Sequence, residues 1–445
     1  MSKINQKLKD NGVCIVGVGY VGLQLSVLFS QNNITTYGFD VDVDKINKYQ
    51  NGIDVTEYAD KDTLSKINFV TKLPQTDIYI ITVPTPVRVQ SKQPDLKFLR
   101  EATVMLAKHI KKGDLIVYES TVAPKTTRNI CIPLLEKHSN MKFGDDFYVG
   151  FSPERLQAGK TKVEIVDNVK LISGANEQSY NMVFDLYSSV IPKKNLYKCD
   201  TMEIAEMAKL MENVKRDVNI ALMNHFQMLC GSTDISFSKV LEAARTKRNF
   251  DDNRYIPGLV GGHCIGVDPY YLVRYRQDNA SNVPSKLVLT ARDTNESVPM
   301  FLAFHIQSLL HQKQNAKVTI CGFSFKEYCS DVRNTKVFDL YEMLTKHVKY
   351  DVSVYDPKCD KELVKKMYNI DLVDEVPDNN DCIFIALKEE EFARMSYKNK
   401  LSKQGFVFDY KYLFQGLYPF MIVDSVELDY MKFRNDITWD KIYQM

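Results

Sequence analysis

Along the first third of the chain, short apolar runs alternate with stretches in which apolar residues recur every three or four positions. The runs are "VCIVGV" from Val13, "TTYGFD" from Thr35, "DIYIITVPTP" from Asp77, "DLIVYEST" from Asp114, "FYVGFSPE" from Phe147 and "VKLISG" from Val169. Strands alternating with helical patterns predict a mostly parallel sheet covered by helices on both faces. The pattern changes at Thr201. "TMEIAEMAKLMENVKRDVNIALMNHFQMLC" carries no Gly or Pro for 29 residues before Cys230, and its apolar residues keep helical spacing. One long helix is expected, long enough to connect domains or to form a dimer interface. A second alternating block opens near Lys317 with "KVTICGFSFK", "YDVSVYDP", "DCIFIALK" and "GFVFDYK". The stretch around Asp331–Lys346 and the segment after Lys361 would supply its crossover helices. The fold class is therefore α/β, with two Rossmann-like, doubly wound domains joined by the long helix and a helical middle. The boundaries fall near residues 1–200, 201–310 and 311–445.

A length of 445 residues favours two or three such domains, each able to bury a sizeable core. The 58 basic and 56 acidic side chains nearly cancel, which argues against nucleic acid or an anionic membrane as the main partner. The polar opening "MSKINQKLKDNG" has no apolar core of a secretory signal. The apolar run Val13 to Phe29 is broken by three glycines, Gln24 and Ser26, and reads as strand, turn and helix start rather than a membrane span. Nine cysteines without a C-x-x-C pair fit reduced thiols in the cytoplasm, most of them small core residues such as Cys14 and Cys321. Ligand spacing for a structural metal is absent.

"GVGYVG" (Gly17, Gly19, Tyr20, Val21, Gly22) follows the first strand and opens a helix. In that context Gly17 permits a tight turn, Gly19 lets backbone approach a pyrophosphate, and Gly22 permits close helix–strand packing, with the anion on the helix N-terminus. Asp40 lies 18 residues after Gly22, at the end of the second strand. A carboxylate there accepts ribose hydroxyls and repels a 2′-phosphate, so NAD is expected rather than NADP. Thr85 in "VPTP" and Thr121 in "YESTV" fall at the carboxyl ends of later strands, the ligand edge of an open sheet. Hydroxyls that merely satisfy strand-end backbone explain them as well.

Lys209, Asn213 and Arg216 share one face of the long helix. Taken alone, a solvated charged face is the more economical account. A catalytic reading needs a second element, and "PGLVGGHCIGVDPYYL" (Pro257–Leu272) offers one. Its glycines, at 258, 261, 262 and 266, let backbone approach a ligand. If residues 263–269 begin a helix, Cys264 stands at its N-terminus, which stabilises a thiolate, and Asp268 follows one turn on. A packing thiol in a glycine turn fits the same residues.

The blocks "GVGYVG", "VPTP", "ESTV", "SPERL", "KLMENVKRDVNIALMN", "GLVGGHCIGVDPYYL" and "FKEYCSDVRNTKV" occur in one order over nearly the whole chain. In this the chain resembles the UDP-glucose/GDP-mannose dehydrogenase family, and most closely its branch acting on UDP-N-acetylhexosamines for surface polysaccharides. The resemblance implies a four-electron oxidation of the C6 alcohol of a UDP-sugar, best UDP-N-acetylglucosamine, with UDP-N-acetylmannosamine or UDP-glucose as the alternative, to a carboxylate with two NAD. Cys264 would be the nucleophile that captures the aldehyde as a thiohemiacetal and then carries a thioester. Lys209 and Asn213 would stabilise the oxyanion. Asp268 would position or deprotonate water, with Thr121 and Glu154 holding it. Arg155 and Gly261 would line the substrate site, and Lys326 and Arg333 would contact the UDP-sugar from the last domain. A homodimer or higher oligomer is implied.

Covalent capture explains the thiol. Oxidising an aldehyde onward without releasing it needs a nucleophile, and a free thiol with a pKa of about 8.5 is mostly protonated at neutrality unless a cation or helix end assists. Four positions depart from the family pattern: Ala158 in "LQAGK", Lys125 where Gly is usual, His225 where Glu is usual, and Arg248 where the N-acetylhexosamine branch has Trp. Two other readings stand beside the first. A two-electron hydroxyacid dehydrogenase of the 6-phosphogluconate type also places Lys and Asn on a helix, but needs neither Cys264 nor a second α/β domain. A non-catalytic NAD-binding scaffold needs none of the chemistry.

Overall fold

The apolar runs close into strands of one large sheet. The computed structural model describes residues 3–411, 413 and 414, apart from 55, 57, 89, 90, 156–167, 234, 251–254, 263 and 280. It divides into two units, Met1–Asn213 with Val267–Val283 and Val214–Gly266 with Pro284–Met445.

The first unit is built on β1 (Val13–Val16), β2 (Thr36–Phe39), β3 (Asn68–Val70), β4 (Ile78–Ile81), β5 (Asp114–Tyr118), β6 (Phe147–Phe151), β7 (Lys170–Gly174) and β8 (Leu196–Lys198), in the spatial order β3-β2-β1-β4-β5-β6-β7-β8. The order reverses at β1, so β1 and β4 flank the switch point at which open sheets hold their ligands. Pairing is parallel from β3 to β6, and β6 meets β7 antiparallel through Gly150↔Gly174 and Phe151↔Ser173. All residues of β1, β4 and β5 are buried. Such strands read as continuous apolar runs because helices cover both faces. Tyr79, Ile116 and Phe147 belong to the core on one face, and Ile15, Ile80 and Val117 to the core on the other. β3 and β8, three residues each, escape the periodicity because so short a run carries no pattern.

The long helix spans Met202–Gly231, close to the expected stretch. The second unit carries a four-stranded parallel sheet of β9 (Lys317–Cys321), β10 (Asp351–Tyr355), β11 (Asn380–Ile385) and β12 (Leu401–Asp409), in the order β10-β9-β11-β12. Thr335 caps the helix Lys336–Glu342, and Asp360 caps Lys361–Tyr368. A 24-residue helix, Lys286–Leu309, contains Pro299 in its interior. Sequence punctuation hides this helix, since an internal Pro reads as a stop.

Among the described residues no helix is long and apolar enough to cross a membrane. None of the nine cysteines is in a disulfide, and Cys14 and Cys321 lie in buried strands where burial pushes their thiols far up. Cys264 alone is exposed.

Candidate active site

The glycine fingerprint sits on the turn between β1 and the helix Tyr20–Gln31. Gly17 adopts φ 97°, and a Cβ there would press on Val83 at 3.0 Å. A Cβ on Gly22 would lie 2.0 Å from the Gly17 carbonyl oxygen, so helix and turn meet in a way that only Gly permits. Gly19 caps the helix, and a Cβ there would meet nothing within 4 Å. Its open face leaves a diphosphate access to backbone at the positive end of the helix, beside the partly buried Tyr20 and Val21. Asp40 follows β2 and accepts from Val18 N at 3.1 Å and Asp42 N at 3.0 Å. Its carboxylate also pairs with Lys45 at 2.8 Å, a cation on the helix Val43–Gln50 that sequence reading overlooked. This donor set fits NAD. Of the strand-end threonines, Thr85 serves backbone: its hydroxyl donates to the Thr121 carbonyl at 2.7 Å, and Tyr271 OH donates to the Thr85 carbonyl at 2.9 Å.

Four predicted residues of the first unit come together around the start of the long helix. The buried Lys209 ammonium donates to the Glu154 carbonyl at 2.6 Å and lies 3.7 Å from its carboxylate. One turn on, the Asn213 amide donates to the Asp268 carboxylate at 2.5 Å. Burial pushes both acids up, Asp268 to about 6, while the charge of Lys209 opposes the rise. A carboxylate near 6 is balanced to take a proton at neutral pH, and a fixed ammonium beside it suits a developing oxyanion. Arg155, expected at the substrate, pairs with Glu212 at 2.6 Å and donates to the Val169 carbonyl at 2.6 Å.

Behind Glu154 lies a cluster that sequence reading missed. Lys170 and Glu119 form a buried ion pair at 3.0 Å, Tyr187 OH donates to Glu119, and the Lys170 ammonium stands 4.8 Å over the Tyr187 ring. Both charges sit inside apparent strand sequence, where only the unexpected polarity of "VYES" and "NVKLIS" marks them.

In the second unit, Cys264 lies in a turn, and the helix that follows it in sequence begins at Asp268. The condition that would place Cys264 at a helix N-terminus is therefore not met. Glycine at 262 and 266 opposes helix formation, while Pro269 fits the first turn, so the helix starts with Asp268 and Pro269. Asp268, not Cys264, occupies the helix N-terminus. Gly261 and Gly262 also differ from expectation. A Cβ on Gly261 would lie 2.6 Å from the Asn334 carbonyl oxygen, and one on Gly262 2.7 Å from the Phe325 ring. These glycines make room for protein, whereas Gly258 is open apart from the Lys411 ammonium at 3.5 Å. Arg333 is exposed and held by both oxygens of Asp331, at 2.8 and 2.7 Å. Burial, reinforced by the charge of Arg216, lowers the pKa of Lys326.

Three family models cover the chain in sequence: the NAD binding domain of the UDP-glucose/GDP-mannose dehydrogenase family over residues 11–191, its central domain over 203–297 and its UDP binding domain over 319–416. A UDP-N-acetyl-D-glucosamine 6-dehydrogenase from Salmonella typhi is 37% identical over 394 residues, 86% of this chain and 91% of the relative. The chain belongs to the UDP-glucose/GDP-mannose dehydrogenase family. Protein CapL from Staphylococcus aureus is 38% identical over 415 residues, 90% of this chain and 96% of its own. The solved structure of a UDP-D-ManNAc dehydrogenase from Pyrococcus horikoshii matches with a TM-score of 0.78 at 29% identity, covering 89% of this chain and 94% of that one.

As a UDP-glucose/GDP-mannose dehydrogenase family member, the protein is an NAD-dependent nucleotide-sugar dehydrogenase. The departures from the family pattern fall in different settings. Lys125 adopts φ 70°, which explains the glycine usual there, and its backbone N–H donates to the buried Glu206 at 2.7 Å. His225 is exposed, its ring 6.3 Å from that of Phe226, and Arg248 is exposed. Ala158 lies outside the described residues.

Proposed function

We propose that this dehydrogenase oxidises the C6 alcohol of a UDP-N-acetylhexosamine, best UDP-N-acetylglucosamine, to the uronic acid for a surface polysaccharide. The overall change is one alcohol, two NAD⁺ and one water giving one carboxylate, two NADH and three protons. NAD, when bound, accepts a hydride in each two-electron step. Gly17, Gly19 and Gly22 admit its diphosphate, and Asp40 takes ribose hydroxyls. The observation that carries the reading is the set of buried Lys209 and Asp268 with partly buried Glu154 and Asn213, in a chain whose every family domain is matched.

In this reading the Cys264 sulfur bonds to the aldehyde carbon to form a thiohemiacetal, and its hydroxyl proton is lost as that carbon is oxidised to a thioester. Lys209 and Asn213 stabilise the oxyanion. The Asp268 carboxylate takes a proton from the attacking water, with Glu154 and Thr121 orienting it, and the C–S bond breaks to free the acid. A cysteine is suited to this because a thiolate is both a strong nucleophile and a good leaving group. Lys326 and Arg333 hold the UDP portion. The protein works in the cytoplasm as a homodimer or larger oligomer.

An NADH-coupled screen of UDP-sugars with product mass tests the reading. Two NADH per sugar and a gain of 14 mass units on going from CH₂OH to COOH (about, by atom balance of a four-electron oxidation) support it. One NADH per sugar favours the two-electron alternative, and none favours the scaffold. UDP-N-acetylmannosamine belongs in the screen because the matched Pyrococcus horikoshii structure is that of a UDP-D-ManNAc dehydrogenase.

A further inference from the structure

We propose that Asn334 is a positioning residue that couples nucleotide binding on the Lys326–Arg333 segment to the placement of the Cys264 thiol. The proposal rests on the reading of Cys264 as nucleophile. Two hydrogen bonds join Asn334 to Gly262, two residues before the thiol. Gly262 N donates to the Asn334 carbonyl at 3.1 Å, and the Asn334 side-chain amide donates to the Gly262 carbonyl at 2.8 Å. Asn334 holds φ 55°, a left-handed conformation that Asn tolerates better than most residues and that aims both groups at one glycine. The steric fit is equally specific, because neither Gly261 nor Gly262 has room for a Cβ against Asn334 and Phe325.

The glycine loop has a second anchor of a different kind. Asn224, fully buried on the long helix, donates to the Gly258 carbonyl at 3.0 Å and accepts from Gly258 N at 2.9 Å. It is itself bound by Asn295, which donates to Asp217, the partner of the buried Arg292. That end of the loop is fixed to core. The other end is fixed to the segment that carries Lys326 and Arg333.

That segment is tied together by its own hydrogen bonds. Phe325 N donates to the Asp331 carbonyl at 3.1 Å, the Arg333 guanidinium grips Asp331, and Tyr368 OH donates to the Val332 carbonyl at 2.6 Å. Arg333 is covalently next to Asn334. A nucleotide phosphate that draws Arg333 from Asp331 therefore changes the setting of Asn334, and through it Gly262 and the thiol beyond. Asn334 is exposed, so its side chain is dispensable for the core.

The test uses the full-length protein and Asn334→Gly, which keeps the left-handed backbone and drops the amide. Asn334→Asp, which keeps size but removes the donor, is the second variant. Cys264 alkylation by iodoacetamide is followed by peptide mass with and without UDP, and UDP affinity by calorimetry. In the parent protein UDP is expected to change the Cys264 alkylation rate about fivefold or more, the usual lower range of coupling between sites. In both variants that response disappears while UDP affinity stays within about threefold, and kcat falls more than KM changes. A parent protein without a UDP response, or variants that keep both the response and kcat, overturns the proposal. Cys264→Ser yielding free acid at the parental rate overturns the nucleophile reading instead, and leaves the alkylation result standing.

Discussion

The Asn213 amide reaches the Asp268 carboxylate at 2.5 Å, joining the first half of the long helix to the first residue of the helix Asp268–Asp278. The bond favours the ionised acid, and so does Lys209, yet burial outweighs both and lifts Asp268 to about 6. If Asp268 acts as a base, kcat/KM rises with pH through about 6, as the carboxylate forms. Asp268→Asn is expected to lose that limb together with about 10²–10⁴-fold in rate. A profile with the limb intact in the variant would remove Asp268 from the role. The same shift affects folding. An acid whose folded pKa is raised contributes stability below its unfolded pKa of about 3.9, and that contribution is lost as pH rises through about 6. Asp268→Asn is therefore expected to raise Tm at pH 8, with little change at pH 4.

Removing the Lys209 charge acts in two places. If the cation serves the transition state, Lys209→Ala lowers kcat by about 10²-fold or more, with a smaller change in KM. It also removes a charge that lowers the Asp268 pKa, so the acidic limb of the pH profile moves upward from about 6. A limb that stays in place would mean that the two groups titrate independently.

If Asp40 takes the ribose hydroxyls, Asp40 and Lys45 set cofactor choice together. Asp40→Ala is expected to weaken NAD binding about tenfold and narrow the preference over NADP, because the ribose acceptor and the repulsion of a 2′-phosphate vanish together. Lys45 at 2.8 Å then lies unpaired near the same position, free to attract that phosphate. Steady-state KM values for both cofactors check this, and unchanged discrimination would contradict it.

Arg292 and Asp217 are both fully buried and paired at 2.5 Å. Arg292→Met strands a buried carboxylate and is expected to destabilise the protein by about 3–5 kcal/mol. The double variant with Asp217→Leu should recover much of that loss. Denaturant melts of the two single variants and the double variant give the coupling, and simple additivity would argue against a shared network.

Lys125 occupies a left-handed backbone conformation at φ 70°. Lys125→Gly is expected to raise Tm by a few degrees, since the strain of a non-glycine residue there is about 1 kcal/mol. The backbone donation to Glu206 remains available in the variant, so a fall in Tm would assign Lys125 a stabilising side-chain role, through Asn279 at 3.3 Å.

The two sheets and the long helix were legible in the amino-acid sequence because both depend on periodicity. Buried parallel strands show as unbroken apolar runs, and Met202–Gly231 shows as helical spacing without a breaker. The glycine fingerprint was legible because each glycine answers a local demand: a left-handed turn at Gly17, an open face at Gly19 and close packing at Gly22. Cys264, Lys209, Asn213 and Asp268 were legible as motif residues. Their partners were not, because a hydrogen bond such as Asn213 to Asp268 joins positions 55 residues apart and leaves no local trace. For the same reason the Lys170–Glu119 pair and the clasp of Asn334 on Gly262 emerge only from the fold. The tertiary structure also decided where the helix after Cys264 begins. A glycine-rich segment has no strong conformational preference of its own, and here close packing against Phe325 and Asn334, rather than helix formation, fixes its path.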